Sequence, residues 1–213
     1  MQEHHVGVQR TARYYTLDPA EKPQEVWFVL HGYGQLVQYF IRHFEAIQNG
    51  RRLVVAPEAL SRYYLAGHTR VGASWMTRED RLTDIDDYLA YLDALHDQIF
   101  ERVDRGSVAV HVLGFSQGGA TATRWATLGQ VDADRLILWA SDVPPDLDLT
   151  THAEALRRCK LTFVVGTDDE FLTPARLAEQ EALLTGHSIP YRVRMFMGPH
   201  RMDAERLKLL TDE

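Results

Sequence analysis

The most constraining feature of the chain is a glycine-flanked serine turn between an apolar run and a segment of helical character. Residues 108–113 are largely apolar, and the turn that follows reads GFSQG around Ser116. A strand, a G-x-S-x-G turn and a helix in this order are typical of a nucleophile elbow, which exposes its serine hydroxyl. The glycines suit the turn because they have no Cβ atom to collide with it. The alternative is a glycine-rich turn whose serine only faces solvent.

Apolar runs and helical segments alternate through most of the chain. Residues 26–30, VWFVL, are continuously apolar, which suits a strand buried on both faces. Strands that alternate with helices predict an α/β fold with a mostly parallel central sheet and helices on both faces. The predicted strands are residues 11–17, 26–30, 53–56, 108–113, 135–140, 161–165 and 191–196. The predicted helices are residues 35–47, 82–103, 153–158, 174–184 and 203–210, with residues 57–78 predicted to be irregular.

Polar groups able to carry out nucleophilic catalysis follow several of these strands. In parallel sheets, ligands bind beyond the carboxyl ends of the strands. Ser116, Asp169 and His200 occur there in the order serine, acid, histidine, each after its own predicted strand. A serine hydroxyl needs a base to take its proton, and histidine needs a carboxylate to fix its tautomer. Asp168 and Asp142 are alternatives for the acid.

Catalysis at Ser116 also requires hydrogen-bond donors for the negatively charged oxygen that forms during attack. One donor is expected from the backbone N–H of Gln117, the residue after the nucleophile. The other is expected from the loop of residues 31–34, HGYG, which follows an early strand.

These motifs together resemble one family. HGYG, GFSQGG, the G-x-x-D run of residues 166–169 and the late Gly-Pro-His are similar to the phospholipase/carboxylesterase family of α/β hydrolases, which includes acyl-protein thioesterases and small bacterial carboxylesterases. The resemblance covers about residues 25–205. It implies an α/β-hydrolase fold, with Ser116 as nucleophile, Asp169 as acid and His200 as base. Tyr33 and Gln117 would supply the oxyanion N–H groups.

Two positions depart from the family's pattern. The family commonly has an acidic residue after HGxG, where this chain has Gln35. Pro174 also comes one residue later after the G-x-x-D run than is usual. These departures bear on the substrate and on the choice between Asp169 and Asp168.

The sequence predicts an ester or thioester hydrolase with a fairly open groove, because there is little room for a large cap domain. Its apolar walls are expected in residues 57–78 and just after Asp169. The predicted substrate-binding residues are Tyr63, Tyr64, Trp75, Met76, Phe171 and Leu172. Tertiary packing is the alternative for the aromatic residues of the 57–78 segment. Other functions for the same residues are a peptidase, an acyltransferase or a non-catalytic binding protein.

Bulk properties set the remaining expectations. A length of 213 residues fits a single domain over residues 1–213. The net charge of −7 argues against nucleic acid and anionic membranes as partners. Cys159 is the single cysteine, and no signal peptide or membrane span is evident, so a cytoplasmic enzyme is expected. We expect a small-molecule ester as substrate, no cofactor, and a monomer or homodimer.

The histidines outside the predicted catalytic group are interpreted as structural. His111 lies within an apolar strand and is expected in the core, and His31 is expected to hydrogen-bond within its loop, with a catalytic part as the alternative. His4 and His5 are near the terminus and are expected to lack partners, so no metal site is predicted.

Overall fold

A seven-stranded sheet forms the centre of the computed structural model, which describes residues 1–211. The last two residues of the predicted domain, 212 and 213, lie outside the described part. The strand order is β1-β3-β2-β6-β7-β8-β9, and a separate two-stranded sheet holds β4 and β5. The strands are β1 (Tyr14–Leu17), β2 (Glu25–Leu30), β3 (Arg52–Pro57), β4 (Ser61–Tyr64), β5 (Val71–Ser74), β6 (Ala109–Phe115), β7 (Arg135–Trp139), β8 (Lys160–Gly166) and β9 (Tyr191–Phe196).

The sheet is parallel except at one edge, where β1 pairs antiparallel with β3. The central strand β2 hydrogen-bonds with β3 on one side and β6 on the other. Five of its six residues are buried, which explains its continuous apolar run. Because the parallel strands share a direction, the loops after β2, β6, β7, β8 and β9 meet at one edge of the sheet.

Helices cover both faces of the sheet, as the sequence predicts. Along β2, Phe28 and Leu30 face one apolar cluster and Trp27 and Val29 face the other. The first cluster includes residues of α2, α3, α4 and α5, and the second includes residues of α1 and α6. The helices are α1 (Val37–Phe40), α2 (Arg81–Phe100), α3 (Gln117–Leu128), α4 (Leu149–Arg158), α5 (Pro174–Gly186) and α6 (Ala204–Thr211).

Two local predictions are wrong. The single helix predicted over residues 35–47 is a short α1 followed by a 3-10 helix, Ile41–Ile47. Residues 57–78 are not irregular, because β4 and β5 form an antiparallel hairpin within them. An isolated bridge between Gln35 and Ala73 joins this hairpin to the loop after β2. The hairpin depends on pairings between distant residues, which a local hydrophobic pattern does not report.

The helices give no membrane-spanning element. Within residues 1–211, none combines the length and the apolar character needed to cross a bilayer.

Candidate active site

Ser116 occupies a strained turn between β6 and α3. Its backbone has φ 53° and ψ −122°, outside the regions that non-glycine residues normally adopt. Its N–H donates to the carbonyl of Trp139 over 2.9 Å, which ties the turn to β7. A Cβ on Gly114 would lie 2.2 Å from the carbonyl oxygen of Gly118, and one on Gly118 would lie 2.3 Å from that of Leu30. The two glycines are therefore required by close backbone contacts.

The structure brings Ser116, His200 and Asp169 into one hydrogen-bonded chain. His200 Nε2 lies 2.9 Å from Ser116 Oγ, and its Nδ1 lies 2.9 Å and 3.1 Å from the two carboxylate oxygens of Asp169. Because an ionised carboxylate can only accept, Nδ1 carries the proton and Nε2 is the free acceptor facing the serine. The unprotonated ring nitrogen of His200 thus faces the Ser116 hydroxyl.

The Asp169 carboxylate is fixed by its own loop. Its side chain is fully buried, and Oδ1 accepts hydrogen bonds from the backbone N–H groups of Phe171 and Leu172, each at 2.9 Å. Buried carboxylates are stable as anions when several donors face them. These contacts hold the carboxylate against His200 before any substrate arrives.

The two alternative acids have partners other than His200. Asp168 is exposed, and its carboxylate accepts from the Thr167 hydroxyl at 3.3 Å. Asp142 forms an ion pair with Arg176 of α5. Neither carboxylate is hydrogen-bonded to His200, whereas that of Asp169 is.

The two predicted oxyanion donors are both available at this edge of the sheet. In the loop after β2, the N–H of Gly32 donates to Gln35 Oε1 and that of Gly34 donates to Ala73 O, each at 2.8 Å. The N–H of Tyr33 makes no hydrogen bond within residues 1–211. The N–H of Gln117 is the first of α3, so no helical carbonyl can accept from it. Gln35, which stands where the resembled family commonly has an acidic residue, accepts the Gly32 N–H and so stabilises its own loop.

Two cavities meet at Ser116 and His200. The smaller has a volume of about 190 Å³ and is lined by Leu172, Asp142 and Arg176, among others. The larger has a volume of about 710 Å³ and is lined by Tyr33, Arg201 and Met202, among others. Phe171 lines both. A substrate whose reacting carbon is at Ser116 therefore has space on two sides.

Four of the six predicted substrate-binding residues line cavities, two at Ser116 and two elsewhere. Phe171 lines both cavities at Ser116, and Leu172 lines the smaller one. Tyr63 and Tyr64 of the hairpin instead line a separate cavity of about 490 Å³, with the Tyr63 ring 5.3 Å from that of Tyr33.

The prediction that Trp75 is a cavity wall is wrong, because its side chain is only 2% exposed. Its indole packs edge-on against Tyr88 in the core. Met76 lies beside that core, with its sulfur 3.9 Å from the Arg124 guanidinium.

Two arginines at the cavities were not predicted from the sequence. Arg201 directly follows His200, and this adjacency was the one available signal. Arg176 is a helical residue that tertiary packing brings to the smaller cavity, so nothing in its neighbourhood along the chain indicated it. Each is paired with a carboxylate, Arg201 with Asp203 at 3.0 Å and Arg176 with Asp142.

His31, in the core, and His111, which is partly buried, are both neutral imidazoles at pH 7. His31 is fully buried, its Nδ1 lies 2.8 Å from Gly32 O, and its Nε2 accepts the Ala59 N–H at 3.1 Å. Burial lowers the pKa of His31, and it lowers the pKa of His111 to about 4. His31 therefore braces its loop, in agreement with its structural interpretation.

The expectation that His5 lacks partners is wrong. Its Nε2 lies 3.0 Å from Asp80 Oδ2 and 3.5 Å from Glu3 Oε1. All three side chains are exposed, and exposed acidic groups are common without an ion. The cluster by itself does not define a metal site.

Comparison with known proteins rests on the fold. No family model matches the chain, and no curated protein matches it in sequence. The structure is similar to Zea mays acyl-protein thioesterase 2, with a TM-score of 0.74 at 16% identity over 95% of this chain and 97% of that chain. A Mesorhizobium loti carboxylesterase gives a TM-score of 0.73 at 18% identity over 94% of each chain. A Bacillus cereus carboxylesterase gives 0.71 at 14% identity over 94% of this chain and 92% of that chain.

The chain therefore has the α/β-hydrolase fold. The similarity to the thioesterase and to the two carboxylesterases extends over nearly the whole length of both chains in each comparison, so this is the fold in a similarly small form.

Proposed function

We propose that the protein is a serine hydrolase that cleaves carboxylic esters or thioesters, and that it belongs to the phospholipase/carboxylesterase family. One observation carries this proposal, namely the hydrogen-bonded chain from Ser116 through His200 to Asp169 at the meeting point of two cavities. The similarity in fold to thioesterases and carboxylesterases supports the choice of bond.

In the first half of the reaction, His200 Nε2 takes the Ser116 hydroxyl proton as Oγ attacks the carbonyl carbon. The charge on the carbonyl oxygen is stabilised by the N–H groups of Tyr33 and Gln117. The bond to the alcohol or thiol then breaks, and His200 returns the proton to that leaving group. The acyl group stays on Ser116 as an ester.

In the second half, water replaces the leaving group. His200 takes a proton from the water as its oxygen attacks the acyl carbon, and it returns this proton to Ser116 Oγ as the acid departs. Asp169 remains ionised throughout, because it stabilises the positive charge on the imidazole in both halves.

Turnover of 4-nitrophenyl acetate and butyrate tests this proposal, with Ser116→Ala as the matched variant. We expect Ser116→Ala to lower kcat by at least about 10⁴-fold, since removing a nucleophile of this kind costs about 10⁶-fold in other serine hydrolases. A fluorophosphonate probe should label the wild type at Ser116 and leave the variant unlabelled. Equal turnover in the two proteins would contradict the proposal.

Four further expectations stay predictions. They are the cytoplasmic location, a single domain over residues 1–213, a monomer or homodimer, and no nucleic-acid partner.

A further inference from the structure

We infer that residues 73–76, here called the bridging segment, position both oxyanion donors. The segment comprises the end of β5 and the two residues that follow it. The inference rests on the proposed function and assigns a positioning role to the side chains of Gln117 and Trp75. It replaces the expectation that Trp75 and Met76 contact substrate.

The bridging segment is bonded to the loop that carries Tyr33. The N–H of Gly34 donates to Ala73 O at 2.8 Å, and the Ala73 N–H donates to Gln35 O at 3.2 Å. Both bonds are made by residues that directly follow Tyr33, whose own N–H is left without a partner in residues 1–211. The segment thus fixes the backbone on the C-terminal side of the first donor.

Trp75 extends this attachment to the start of the same loop. Its indole N–H donates to the carbonyl of His31 at 2.8 Å. The indole ring also lies 5.2 Å from the His31 imidazole, and that imidazole is itself bonded to Gly32 O and to the Ala59 N–H. The loop is therefore held on both sides of Tyr33.

The other end of the bridging segment holds Gln117. Its Oε1 accepts the Trp75 N–H at 3.0 Å, and its Nε2 donates to Met76 O at 2.8 Å. The Ser74 hydroxyl completes the contact, because it donates to Met76 O at 2.7 Å and accepts from Gln117 Nε2 at 3.1 Å. A side chain fixed at both polar atoms restrains the backbone from which it extends.

The two oxyanion donors therefore share one support. Tyr33 lies in the loop after β2, whereas Gln117 is the first residue of α3, and the bridging segment is hydrogen-bonded to both regions. Oxyanion stabilisation depends on donors that stand in place before charge develops. Because small displacements of such groups cost large factors in rate, loosening this segment should weaken transition-state binding more than substrate binding.

Two variants loosen the support without touching a proposed catalytic side chain. Gln117→Met keeps the length of the side chain and removes its three polar contacts. Trp75→Phe keeps an aromatic ring in the core and removes the bond to His31. The control for Gln117→Met is Gln180→Met, which removes a hydrogen bond from the Val143 N–H. The control for Trp75→Phe is Trp125→Phe, which removes a hydrogen bond to the Asp93 carboxylate.

Two readouts distinguish positioning from stability. The first is kcat and KM with 4-nitrophenyl butyrate. The second is the inhibition constant of 4-phenyl-1,1,1-trifluorobutan-2-one, a ketone that serine hydrolases bind as a tetrahedral adduct with a charged oxygen. We expect kcat/KM to fall about 10- to 100-fold in Gln117→Met and about 10-fold in Trp75→Phe, with most of the loss in kcat.

The inhibition constant of the ketone should rise by similar factors in both variants, and the control variants should stay within about threefold of the wild type for both readouts. Wild-type inhibition constants in Gln117→Met and Trp75→Phe would overturn the inference. So would losses equal to those of the controls. If Gln117→Met folds poorly, Trp75→Phe decides the question by itself.

The same experiment separates this inference from the proposed function. A wild type that turns over esters no faster than Ser116→Ala overturns the proposed function, and the inference falls with it. A wild type that is active, with bridging-segment variants that behave like their controls, overturns the inference alone.

Discussion

The two sides of the candidate site are held in place in different ways. On the base side, Asp169 is fixed by N–H groups two and three residues away, and it holds His200 directly. On the proposed oxyanion side, the donors are the backbone N–H groups of Tyr33 and Gln117, and a third segment is hydrogen-bonded to the loop of Tyr33 and to the side chain of Gln117. The Asp169 side chain is thus fixed by its own loop. The two backbone donors, which lie in separate parts of the chain, are instead held by a third segment.

The largest expected effect lies on the base side. Asp169→Asn keeps the shape of the side chain but removes the charge that, in the proposed mechanism, stabilises the imidazolium. The value of kcat should therefore fall by about 10⁴-fold, as for the same change in another serine hydrolase. Initial rates with 4-nitrophenyl butyrate measure it.

Asp168→Asn is the matched control, because the neighbouring carboxylate is exposed and not bonded to His200. We expect nearly unchanged rates. A large loss in Asp168→Asn together with an active Asp169→Asn would reverse the assignment of the acid.

A smaller effect is expected where the hairpin meets the oxyanion loop. A Cβ at Gly72 would lie 2.5 Å from the carbonyl oxygen of Gly34, which is backbone and cannot rotate away. Gly72→Ala should therefore push the two segments apart, lowering kcat/KM about 10-fold or more. We expect it to lower the free energy of unfolding by about 1–3 kcal/mol.

Kinetics and urea denaturation of Gly72→Ala give both quantities, and Gly186→Ala is the control because its Cβ would meet nothing within 4 Å. Full activity in a measurably destabilised Gly72→Ala would mean that the oxyanion loop does not depend on the hairpin. The contrast between the two sides of the site would then be lost.

The smallest expected effect concerns stability away from the site. Burial lowers the pKa of His111 from 6.5 to about 4, so between these pH values the unfolded chain binds a proton that the folded protein does not. Stability should therefore fall as pH decreases from 6.5 to 4, with His111 contributing up to about 3 kcal/mol of the loss.

Urea midpoints at pH 7, 5.5 and 4 measure this loss. His111→Gln does not titrate in this range, so its stability should fall less steeply than that of the wild type. Parallel curves for the two proteins would show that His111 is not responsible.

The fold and the grouping of Ser116, Asp169 and His200 could both be predicted from the sequence, for related reasons. Parallel strands buried on both faces leave continuous apolar runs, as in residues 26–30. Ser116 and Asp169 each follow an apolar run and His200 follows the mixed edge strand Tyr191–Phe196, so the ends of the predicted strands already indicated that the three residues meet. Their assignment as a catalytic group stays a prediction until the variants are measured.

The hairpin and the contacts of the bridging segment could not be predicted from the sequence, and the reason is physical. Trp75 and Gln117 are 42 residues apart, and their contact joins a backbone N–H to an amide side chain. Neither group leaves a periodic pattern in the sequence. The aromatic residues of the 57–78 stretch were interpreted as a substrate-binding surface, whereas the Trp75 indole is buried in the core.

The turn around Ser116 also limits how this chain can change by mutation. The fold is shared with proteins at 14% to 18% identity, so most positions accept replacement over long divergence. At Gly114 and Gly118 a methyl group would lie within 2.3 Å of a backbone oxygen. Glycine is needed at these two positions because no space exists for a side chain, and not because of the reaction. A relative that had lost the activity would therefore still be expected to keep both glycines for as long as it kept the fold.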